Sequence, residues 1–342
     1  MEQLTIVIPE LIVDRQRTPV DGFKSLMQVR ELETLLSRAF FSPLSSPESE
    51  GVIRALMGLD EEEFPAAAFS YVGDGGDPGD AWWIRIDPVY FHPDRDSLLL
   101  LGNDTLEINQ EEAQALAAEL EAHFSDLNWR IDVQHPKRWY LRLEQDPQIH
   151  TYDLAKAKGK HVFQFLPDGP QGHRWHGLLN EMQMLLHNSS VNQARQTRGE
   201  TTINGVWPWG EGRLPVLKQK PYSFYGGDVI VRGLGMTAGV SCHNEVQSLQ
   251  QLMQVHQGAT LPVIFLGELE AAMLAQDMPT WVEQLNQLES AWFAPLRQVL
   301  KTGEVKKLNI YVAKVGVFST DRTQQRRFWC RRRSLLDYAS EK

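Results

Sequence analysis

The chain alternates short apolar runs with longer amphipathic stretches. The run LTIVI (Leu4–Ile8) is rich in β-branched residues and is followed by a proline, which predicts a buried strand. LPVIFLG (Leu261–Gly267) predicts another strand, and VKKLNIYVAKVGVF (Val305–Phe318) predicts a strand pair or one long strand. One or two amphipathic helices are expected over Leu269–Leu300. Strands that alternate with helices favour an α/β sheet core.

The middle of the chain has a pattern of its own. AWWIRIDPVYFHPDRDSLLLLG alternates like strands, and Ile108–Phe124 is the clearest amphipathic helix. WRIDVQ and RWYLRLE have the pattern of two further strands. Trp82–Glu144 is therefore predicted to form a compact β–α–β–β unit. We predict that residues 82–175 form an inserted, smaller α+β subdomain, and that residues 1–81 and 176–342 form the main domain.

The composition is that of a globular protein with an acidic balance. Of the 342 residues, 42% are hydrophobic and 23% are charged, and the formal net charge is −10. Binding to nucleic acid or to an anionic membrane is not expected, because it needs a positive surface. The chain has two cysteines, no cationic leader and no apolar segment near the roughly 20 residues that span a bilayer. These features predict a cytoplasmic protein.

The motifs that would carry metal or nucleophile chemistry are incomplete. His173 and His176 (HRWH) have a spacing that can place two imidazoles on one helical face, but no carboxylate accompanies them, and the preceding proline and glycine indicate a loop. Cys242 and His243 are adjacent, so their side chains point in different directions on most backbones. No G-x-S-x-G nucleophile elbow is present. These motifs predict no metal site.

Three glycines, Gly233, Gly235 and Gly239, follow the apolar run DVIV. The run predicts a strand, and the glycines resemble a dinucleotide-binding loop whose spacing is one residue too long. No acidic residue is well placed at the end of a following strand. We therefore interpret the glycines as a tight turn from a strand into a helix.

The segment Asn180–Pro215 concentrates arginine, asparagine and tryptophan. Arg195 and Arg198 are three residues apart, so on a helix both guanidinium groups reach one side and can grip a phosphate or carboxylate. The alternative is a helix that ends at Gly199, with the arginines complementing its dipole. The candidate ligand-binding residues are Arg138, Asn180, Arg195, Arg198, Asn204 and Arg213.

A second group of arginines lies near the C-terminus, beside two aromatic residues. Such a group can hold an anion or an RNA backbone, with the rings available for stacking. The alternative, which we favour at this point, is a solvated terminal helix on an acidic protein. The residues of this group are Arg326, Arg327, Phe328, Trp329, Arg331, Arg332 and Arg333.

Three motifs follow one another in an informative order. N-x-x-R-x-x-R-G (Asn192–Gly199) precedes INGVWPWGEG (Ile203–Gly212), which precedes VIVRGLGMTAGV (Val229–Val240). Their order resembles that of the cofactor-independent phosphoglycerate mutases of the archaeal type, and the similarity runs from about Ser49 to Gly239. The resemblance implies an alkaline-phosphatase-like α/β fold, with a mixed sheet flanked by helices. It also implies two divalent metal ions and a Ser or Thr nucleophile that transfers a phosphoryl group.

Several residues that the resemblance would make catalytic are replaced. The first strand ends in Pro9 and Glu10, where the family has a metal-binding Asp, and Ile53 stands where the family has a histidine. Ser49 falls near the position of the nucleophile. No histidine occurs beyond His256, although the family has later histidine ligands. A two-metal site needs about six or seven oxygen or nitrogen ligands. We expect the scaffold to be kept without its metal site.

We therefore predict a degenerate phosphoglycerate-mutase-like protein without catalysis or cofactor. It would bind a small phosphorylated or anionic metabolite in a sensing or regulatory role. One alternative is an active mutase or metal-dependent phosphohydrolase with relocated ligands, two divalent ions and Ser49 as its nucleophile. The other is a scaffold that holds a protein or RNA through exposed Trp207 and Trp209 or through the arginine-rich C-terminal segment.

Overall fold

The structure of the protein is a computed structural model. It describes residues 1–13, 20–44, 49–59, 64–94, 97–103, 106–313 and 315–340, with the backbone alone at positions 49, 50, 97, 339 and 340. The described residues form two compact units. The first comprises Met1–Asp60, Lys218–Asp228 and Ala238–Lys342, and the second comprises Glu61–Leu217 and Val229–Thr237.

The strands of the described chain are short, and most follow the apolar runs of the sequence. They are β1 (Gln3–Ile8), β2 (Phe40–Pro43), β3 (Trp82–Val89), β4 (Phe91–Asp94), β5 (Ser97–Leu100), β6 (Arg130–His135), β7 (Arg138–Leu143), β8 (Gly205–Arg213), β9 (Tyr222–Tyr225), β10 (Ser241–His243), β11 (Leu261–Phe265), β12 (Lys307–Val312) and β13 (Gly316–Asp321).

The α-helices of the described chain alternate with these strands. They are α1 (Arg30–Arg38), α2 (Ser49–Met57), α3 (Ala66–Gly73), α4 (Gln110–His123), α5 (Leu154–Ala157), α6 (Gly172–Asn188), α7 (Ser190–Thr197), α8 (Val229–Thr237), α9 (Leu249–Val255), α10 (Glu268–Leu274), α11 (Met278–Leu288), α12 (Ala294–Thr302) and α13 (Arg322–Gln325). Glu289–Phe293 is a π-helical segment between α11 and α12, and four short 3₁₀ helices complete the described elements. Among the described residues, no helix is long and apolar enough to cross a membrane.

The first unit is built on a seven-stranded mixed sheet in the order β10-β9-β11-β1-β12-β13-β2. The first five strands of this order, from β10 to β12, pair in parallel. At the other edge, β13 pairs antiparallel with β12, and β2 pairs antiparallel with β13. The predicted strand β1 lies in the middle, with Leu4, Ile6 and Ile8 fully buried. A parallel strand that is covered on both faces needs such a continuous apolar run. The predicted mixed α/β sheet flanked by helices is confirmed.

Helix α1 is held in the first unit by a carboxylate from a distant part of the chain. Val29, at its N-cap, provides no side-chain hydrogen bond. Instead, the backbone N–H of Glu31 donates to Oε1 of Glu289 over 2.5 Å, and the N–H of Leu32 donates to Oε2 over 3.0 Å. A carboxylate at this position satisfies free N–H groups and favours the helix dipole. The contact fixes α1 beside the segment that joins α11 to α12.

The second unit contains a four-stranded antiparallel sheet in the order β6-β7-β3-β8. On one face, α4 and α6 pack against Ile84, Ile86 and Trp139. On the other face, α3 packs against Trp83 and Tyr140. The predicted sequence of strand, helix and two strands is confirmed as β3, α4, β6 and β7. This compact unit includes residues on both sides of 82–175, and an inserted subdomain with those bounds stays a prediction.

The region around Gly233 differs from its predicted type. The segment predicted as a strand and a glycine turn forms helix α8, which packs on α3. A Cβ at Gly233 would lie 1.7 Å from the carbonyl oxygen of Phe69, and a Cβ at Gly73 would lie 2.0 Å from that of Val229. Glycine at these positions allows two helix backbones to approach each other closely. The apolar run belongs to this helix pair and not to a strand.

The prediction that Trp207 and Trp209 are exposed is wrong. Both lie in β8, and their exposed fractions are 1% and 6%. The indole Nε1 of Trp207 donates to the carbonyl oxygen of Tyr152 over 2.7 Å, and that of Trp209 donates to Oδ2 of Asp87 over 2.9 Å. Each indole is thus buried with its polar atom satisfied, as a core tryptophan requires.

The C-terminal segment does not form the favoured terminal helix. Helix α13 ends at Gln325, and residues 326–334 follow as turns and irregular chain. The N–H of Arg333 donates to Oγ of Ser37 over 2.9 Å, which ties this segment to α1. Phe328 and Trp329 remain exposed.

Candidate functional site

Arg195 lies in helix α7, and it is almost fully buried, with an exposed fraction of 1%. Its Nε donates to the carbonyl oxygen of Thr201 over 2.9 Å. Its Nη1 donates to the carbonyl oxygen of Glu107 over 2.9 Å and to Oε2 of Glu112 over 2.6 Å. These acceptors belong to the same unit, so the described contacts of Arg195 are those of a structural anchor.

Arg198 is the C-cap residue of α7, and it meets Arg195 at the same carboxylate. Its Nη2 donates to Oε1 of Glu112 over 2.5 Å and to Oε2 of Glu200 over 2.7 Å. Its side chain is 47% exposed. The structure therefore brings the predicted arginine pair together, around two glutamates. That this pair binds a ligand anion stays a prediction.

Arg138 lies in a different place in the second unit. Its Nε and Nη2 each donate to the carboxylate of Asp74 over 2.7 Å, and the Tyr140 hydroxyl donates to the same group over 2.6 Å. Burial alone would raise the pKa of Asp74, but these hydrogen bonds and the charge of Arg138 lower it overall. Asp74 ends α3, whereas Arg195 is bonded to α4, and these helices cover opposite faces of the sheet.

The remaining three predicted residues are also spread over the second unit. The guanidinium carbon of Arg213 lies 5.4 Å from the ring centroid of Trp82. Asn204 forms two hydrogen bonds with the backbone of Phe91, accepting over 2.7 Å and donating over 2.9 Å. Asn180 is exposed on α6. The six predicted ligand-binding residues are thus not gathered at one site, and their assignment to a ligand stays a prediction.

The carboxyl ends of the parallel strands lie at one edge of the sheet in the first unit, which is the edge where open α/β sheets bind ligands. Glu268 begins α10 just after β11 and is partly buried, and its Oε2 is buried without a hydrogen-bond partner in the part of the chain that the structure describes. Burial raises the pKa of Glu268, and nearby Glu245 raises it further. Ser49, the predicted nucleophile, is the first residue of α2, and its side chain lies outside the described part of the structure.

Two divalent ions, which the resemblance implies, do not fit the residues that the structure describes. Among them, no group of three or more His, Cys, Asp or Glu side chains is placed to hold a metal ion. His173 and His176 lie in α6, not in the predicted loop, and their rings are 5.8 Å apart. Nε2 of His176 lies 2.7 Å from the carbonyl oxygen of Pro167. His243 stacks on Tyr225, with ring centroids 4.7 Å apart.

A cavity of about 590 Å³ in the first unit is lined by arginine side chains. Four lining residues come from α1 at spacings of four, three and one, which places them on one helical face. They are Arg30, Thr34, Ser37 and Arg38. The other lining residues come from α12 and from the C-terminal segment, and they are Arg297, Phe328, Cys330, Arg331 and Arg332.

The charges around this arginine-lined cavity are only partly balanced. Arg297 is paired with Glu31 through Nη1, and Nε of Arg332 lies 3.3 Å from Oε2 of Glu33. The other three cavity arginines form no ion pair with any residue that the structure describes, and they are Arg30, Arg38 and Arg331. The cavity is therefore a local positive site on a chain whose formal net charge is −10.

Two donors in the arginine-lined cavity are unsatisfied. Within the described structure, Nε of Arg38 and Nε of Arg297 are buried and have no hydrogen-bond partner. Nη1 of Arg38 donates to the carbonyl oxygen of Gln325 over 2.6 Å, so this side chain is anchored at one nitrogen and unsatisfied at another. An unsatisfied buried donor costs about 1–3 kcal/mol, and a ligand oxygen would remove this cost.

The sequence predicted only part of this cavity. Phe328, Arg331 and Arg332 belong to the C-terminal group for which anion or RNA binding was considered, although a solvated terminal helix was favoured. Arg38 and Arg297 were missed, because they lie far apart in the chain and their meeting depends on the packing of α1 against α12. The available signal was the pair Arg30 and Arg38, which are two helical turns apart.

Comparison with known proteins identifies the fold. No protein-family model matches the chain. The solved structure of the cofactor-independent phosphoglycerate mutase from Thermoplasma acidophilum matches with a TM-score of 0.52 and 16% sequence identity, covering 99% of this chain and 94% of that chain. The chain has the fold of a cofactor-independent phosphoglycerate mutase. The structure of PH0037 protein from Pyrococcus horikoshii matches with a TM-score of 0.57 and 13% identity, covering 94% of this chain and 85% of that one.

Curated phosphoglycerate mutases match shorter parts of the chain. The 2,3-bisphosphoglycerate-independent phosphoglycerate mutase of Methanosarcina barkeri is 27% identical over 141 residues, which are 39% of this chain and 35% of the relative. That of Methanosarcina acetivorans is 30% identical over 88 residues, which are 24% of this chain and 22% of the relative. The matches thus span about a third or less of each of these two relatives. They confirm the resemblance to phosphoglycerate mutases that the order of motifs predicted.

Proposed function

We propose that this phosphoglycerate-mutase-like chain binds a small phosphorylated metabolite in its first unit and does not transfer the phosphoryl group. The observation that carries the proposal is the arginine-lined cavity, where the Nε atoms of Arg38 and Arg297 are buried without acceptors among the described residues. The role that we propose for such binding is that of a cytoplasmic sensor.

Phosphate is the ligand chemistry that this cavity suits best. Guanidinium groups donate in a planar fork that matches phosphate or carboxylate oxygens, and they keep their charge at any physiological pH. Three of the five cavity arginines have no carboxylate partner among the described residues, so a ligand with two or three negative charges would balance them. The volume of about 590 Å³ is that of a small-molecule site.

Binding in this cavity needs no metal ion, since the arginines themselves supply the positive charge. Phosphoryl transfer in the way that the resemblance implies needs two metal ions and their ligands. At the corresponding ends of strands this chain has Pro9 and Glu10 after β1, and Gly267 and Glu268 after β11. We therefore separate the two properties and propose binding without transfer.

The second candidate is phosphoryl transfer, and the names of the relatives favour it. Each of the curated relatives above is a phosphoglycerate mutase, as is the Thermoplasma protein of the same fold. An active enzyme would use Ser49 as its nucleophile and would interconvert the phosphoglycerates in the presence of a divalent ion. Turnover separates this candidate from a binding protein.

The proposal is tested by titrating 3-phosphoglycerate and inorganic pyrophosphate into the full chain with EDTA present, using calorimetry. A coupled assay for 2-phosphoglycerate is run in parallel with Mn²⁺. We expect heat of binding for at least one of the two anions, and no product above the rate of a protein-free control. Product formation that disappears in Ser49→Ala would overturn the non-catalytic assignment. The absence of binding for both anions would overturn the assignment of the cavity.

A further inference from the structure

An exposed aromatic side chain lines the arginine-lined cavity, and the next residue in the chain is also an exposed aromatic. Phe328 lines it and is 81% exposed, and Trp329, the next residue, is 68% exposed. Their ring centroids are 5.2 Å apart and their planes meet at 80°, so the two rings are edge to face. The face of a ring of this kind stacks on a planar heterocycle, and this is how single nucleotides and unpaired bases are held next to cationic side chains.

The segment that carries these rings has backbone hydrogen bonds within itself and is tied to α1 through Arg333. The N–H of Phe328 donates to the carbonyl oxygen of Arg326 over 2.8 Å, and that of Cys330 donates to Arg327 over 3.1 Å. The hydrogen bond from Arg333 to Ser37 fastens the segment to α1. The backbone that carries Phe328 and Arg331 is therefore ordered before a ligand arrives, which lowers the entropic cost of binding.

We propose that the phosphorylated ligand of this cavity is a nucleotide, with its base stacked on Phe328 and its phosphates held by Arg38, Arg297 and Arg331. This inference rests on the proposed function, because it names the ligand class of the same site. The arginines account for the phosphates alone, whereas the exposed ring accounts for a planar group beside them. A nucleoside diphosphate supplies two or three negative charges, and three of the cavity arginines have no carboxylate partner among the described residues to balance them.

A single nucleotide fits the observations better than a nucleic acid strand does. The cavity volume of about 590 Å³ is suited to one ligand of that size. A long polyanion would also meet the rest of the surface, and the formal net charge of −10 opposes such an approach. A single positive cavity on an acidic protein therefore suits a small anionic ligand better than it suits a nucleic acid.

The test compares adenosine diphosphate with inorganic pyrophosphate, because both carry a diphosphate and only the first carries a base. We expect calorimetry on the full chain to give an affinity for the nucleotide at least tenfold higher than for pyrophosphate. Phe328→Ala is expected to remove about tenfold of nucleotide affinity, in line with the usual contribution of one stacked base. It should leave the affinity for pyrophosphate unchanged. Phe163→Ala is the matched control, since Phe163 is 66% exposed in the second unit.

Three other results would contradict the assignment of a nucleotide to this cavity. Equal affinities for the two anions, both weakened in Arg38→Gln, would overturn the nucleotide inference and keep the proposed function. Binding of neither anion would remove the proposed function itself, and this inference with it. A 12-nucleotide single-stranded RNA that binds more tightly than adenosine diphosphate, and loses affinity in Phe328→Ala, would show a nucleic-acid surface and overturn the assignment to a single nucleotide.

Discussion

Nη1 of Arg195 donates to Oε2 of Glu112 over 2.6 Å, and the arginine is almost fully buried. The two residues are 83 positions apart, and they join α7 to the first turn of α4. Glu112 also forms the capping box of α4 with Asn109. One carboxylate therefore caps a helix, neutralises a buried guanidinium and accepts from Arg198. The contacts of Glu112 therefore explain the presence of Arg195 and Arg198 in structural terms.

Replacing Arg195 should destabilise the second unit strongly. Arg195→Ala removes the buried guanidinium group from Glu112, which keeps Arg198, and takes its donors from two backbone carbonyl oxygens. Breaking a buried ion pair costs about 3–5 kcal/mol. Urea denaturation followed by circular dichroism should show this loss in the free energy of unfolding. Arg198→Ala is the matched comparison, because its side chain is 47% exposed, and its effect should be much smaller. Equal effects of the two substitutions would contradict the structural role of Arg195.

The contact between α3 and α8 predicts a large difference between two helical glycines. Gly233→Ala would place a Cβ 1.7 Å from the carbonyl oxygen of Phe69, so the helices must separate, at a cost of about 3 kcal/mol. Gly177→Ala in α6 meets nothing within 4 Å and should stabilise the protein by about 0.5–1 kcal/mol, because alanine favours a helix. Thermal unfolding of both variants measures the difference. A neutral Gly233→Ala would show that α8 does not pack in this way.

The elements that the sequence predicted well are those whose pattern is local. Strand β1 was predicted from five apolar letters, and α4 from its amphipathic repeat and its polar first turn. Helix α8 was missed because VIVRGLG has β-branched residues and glycines, both of which disfavour a helix in isolation. Its glycines are explained only by a partner helix that lies about 160 residues earlier in the chain. Tertiary packing therefore determines that this segment is a helix.

The partly buried carboxyl group of Glu268 predicts a dependence of stability on pH. Burial raises its pKa above the value in the unfolded chain, and Glu245 adds to the shift. A carboxyl group with a raised pKa contributes stability below its unfolded pKa, near 4.3, and this contribution is lost as the pH rises through the folded pKa. Glu268→Gln should therefore gain stability relative to the parent protein between pH 4.5 and pH 7.5.

Urea denaturation at the two pH values checks this expectation. Glu270→Gln, at an exposed position on the same helix, is the control and should show no such gain. We compare the unfolding free energies of the parent protein and of Glu268→Gln. If their difference is the same at both pH values, the pKa of Glu268 is not raised. The comparison also reports on the sheet edge, since Glu268 lies three residues after the end of β11.

The candidate site shows where prediction from the sequence stops. The sequence shows a cluster of arginines in the C-terminal segment. Whether the cluster can bind an anion depends on which side chains pack beside it in the fold. Arg38 and Arg297 complete the cavity only because α1 and α12 pack together, a contact that no local pattern specifies. Conversely, Arg195 and Arg198 have the spacing of an anion clamp, and the glutamates that meet them are found only in the folded chain.

The most direct measurement is the affinity of inorganic pyrophosphate for cavity variants, determined by calorimetry. Arg38→Gln combined with Arg331→Gln removes two guanidinium groups that have no carboxylate partner among the described residues. Arg322→Gln, at an exposed position in α13 outside the cavity, is the matched control, and thermal unfolding verifies that each variant is folded. We predict at least a tenfold loss of affinity in the double variant and less than a twofold change in the control. Undiminished binding in the folded double variant would contradict the assignment of the anion site to this cavity.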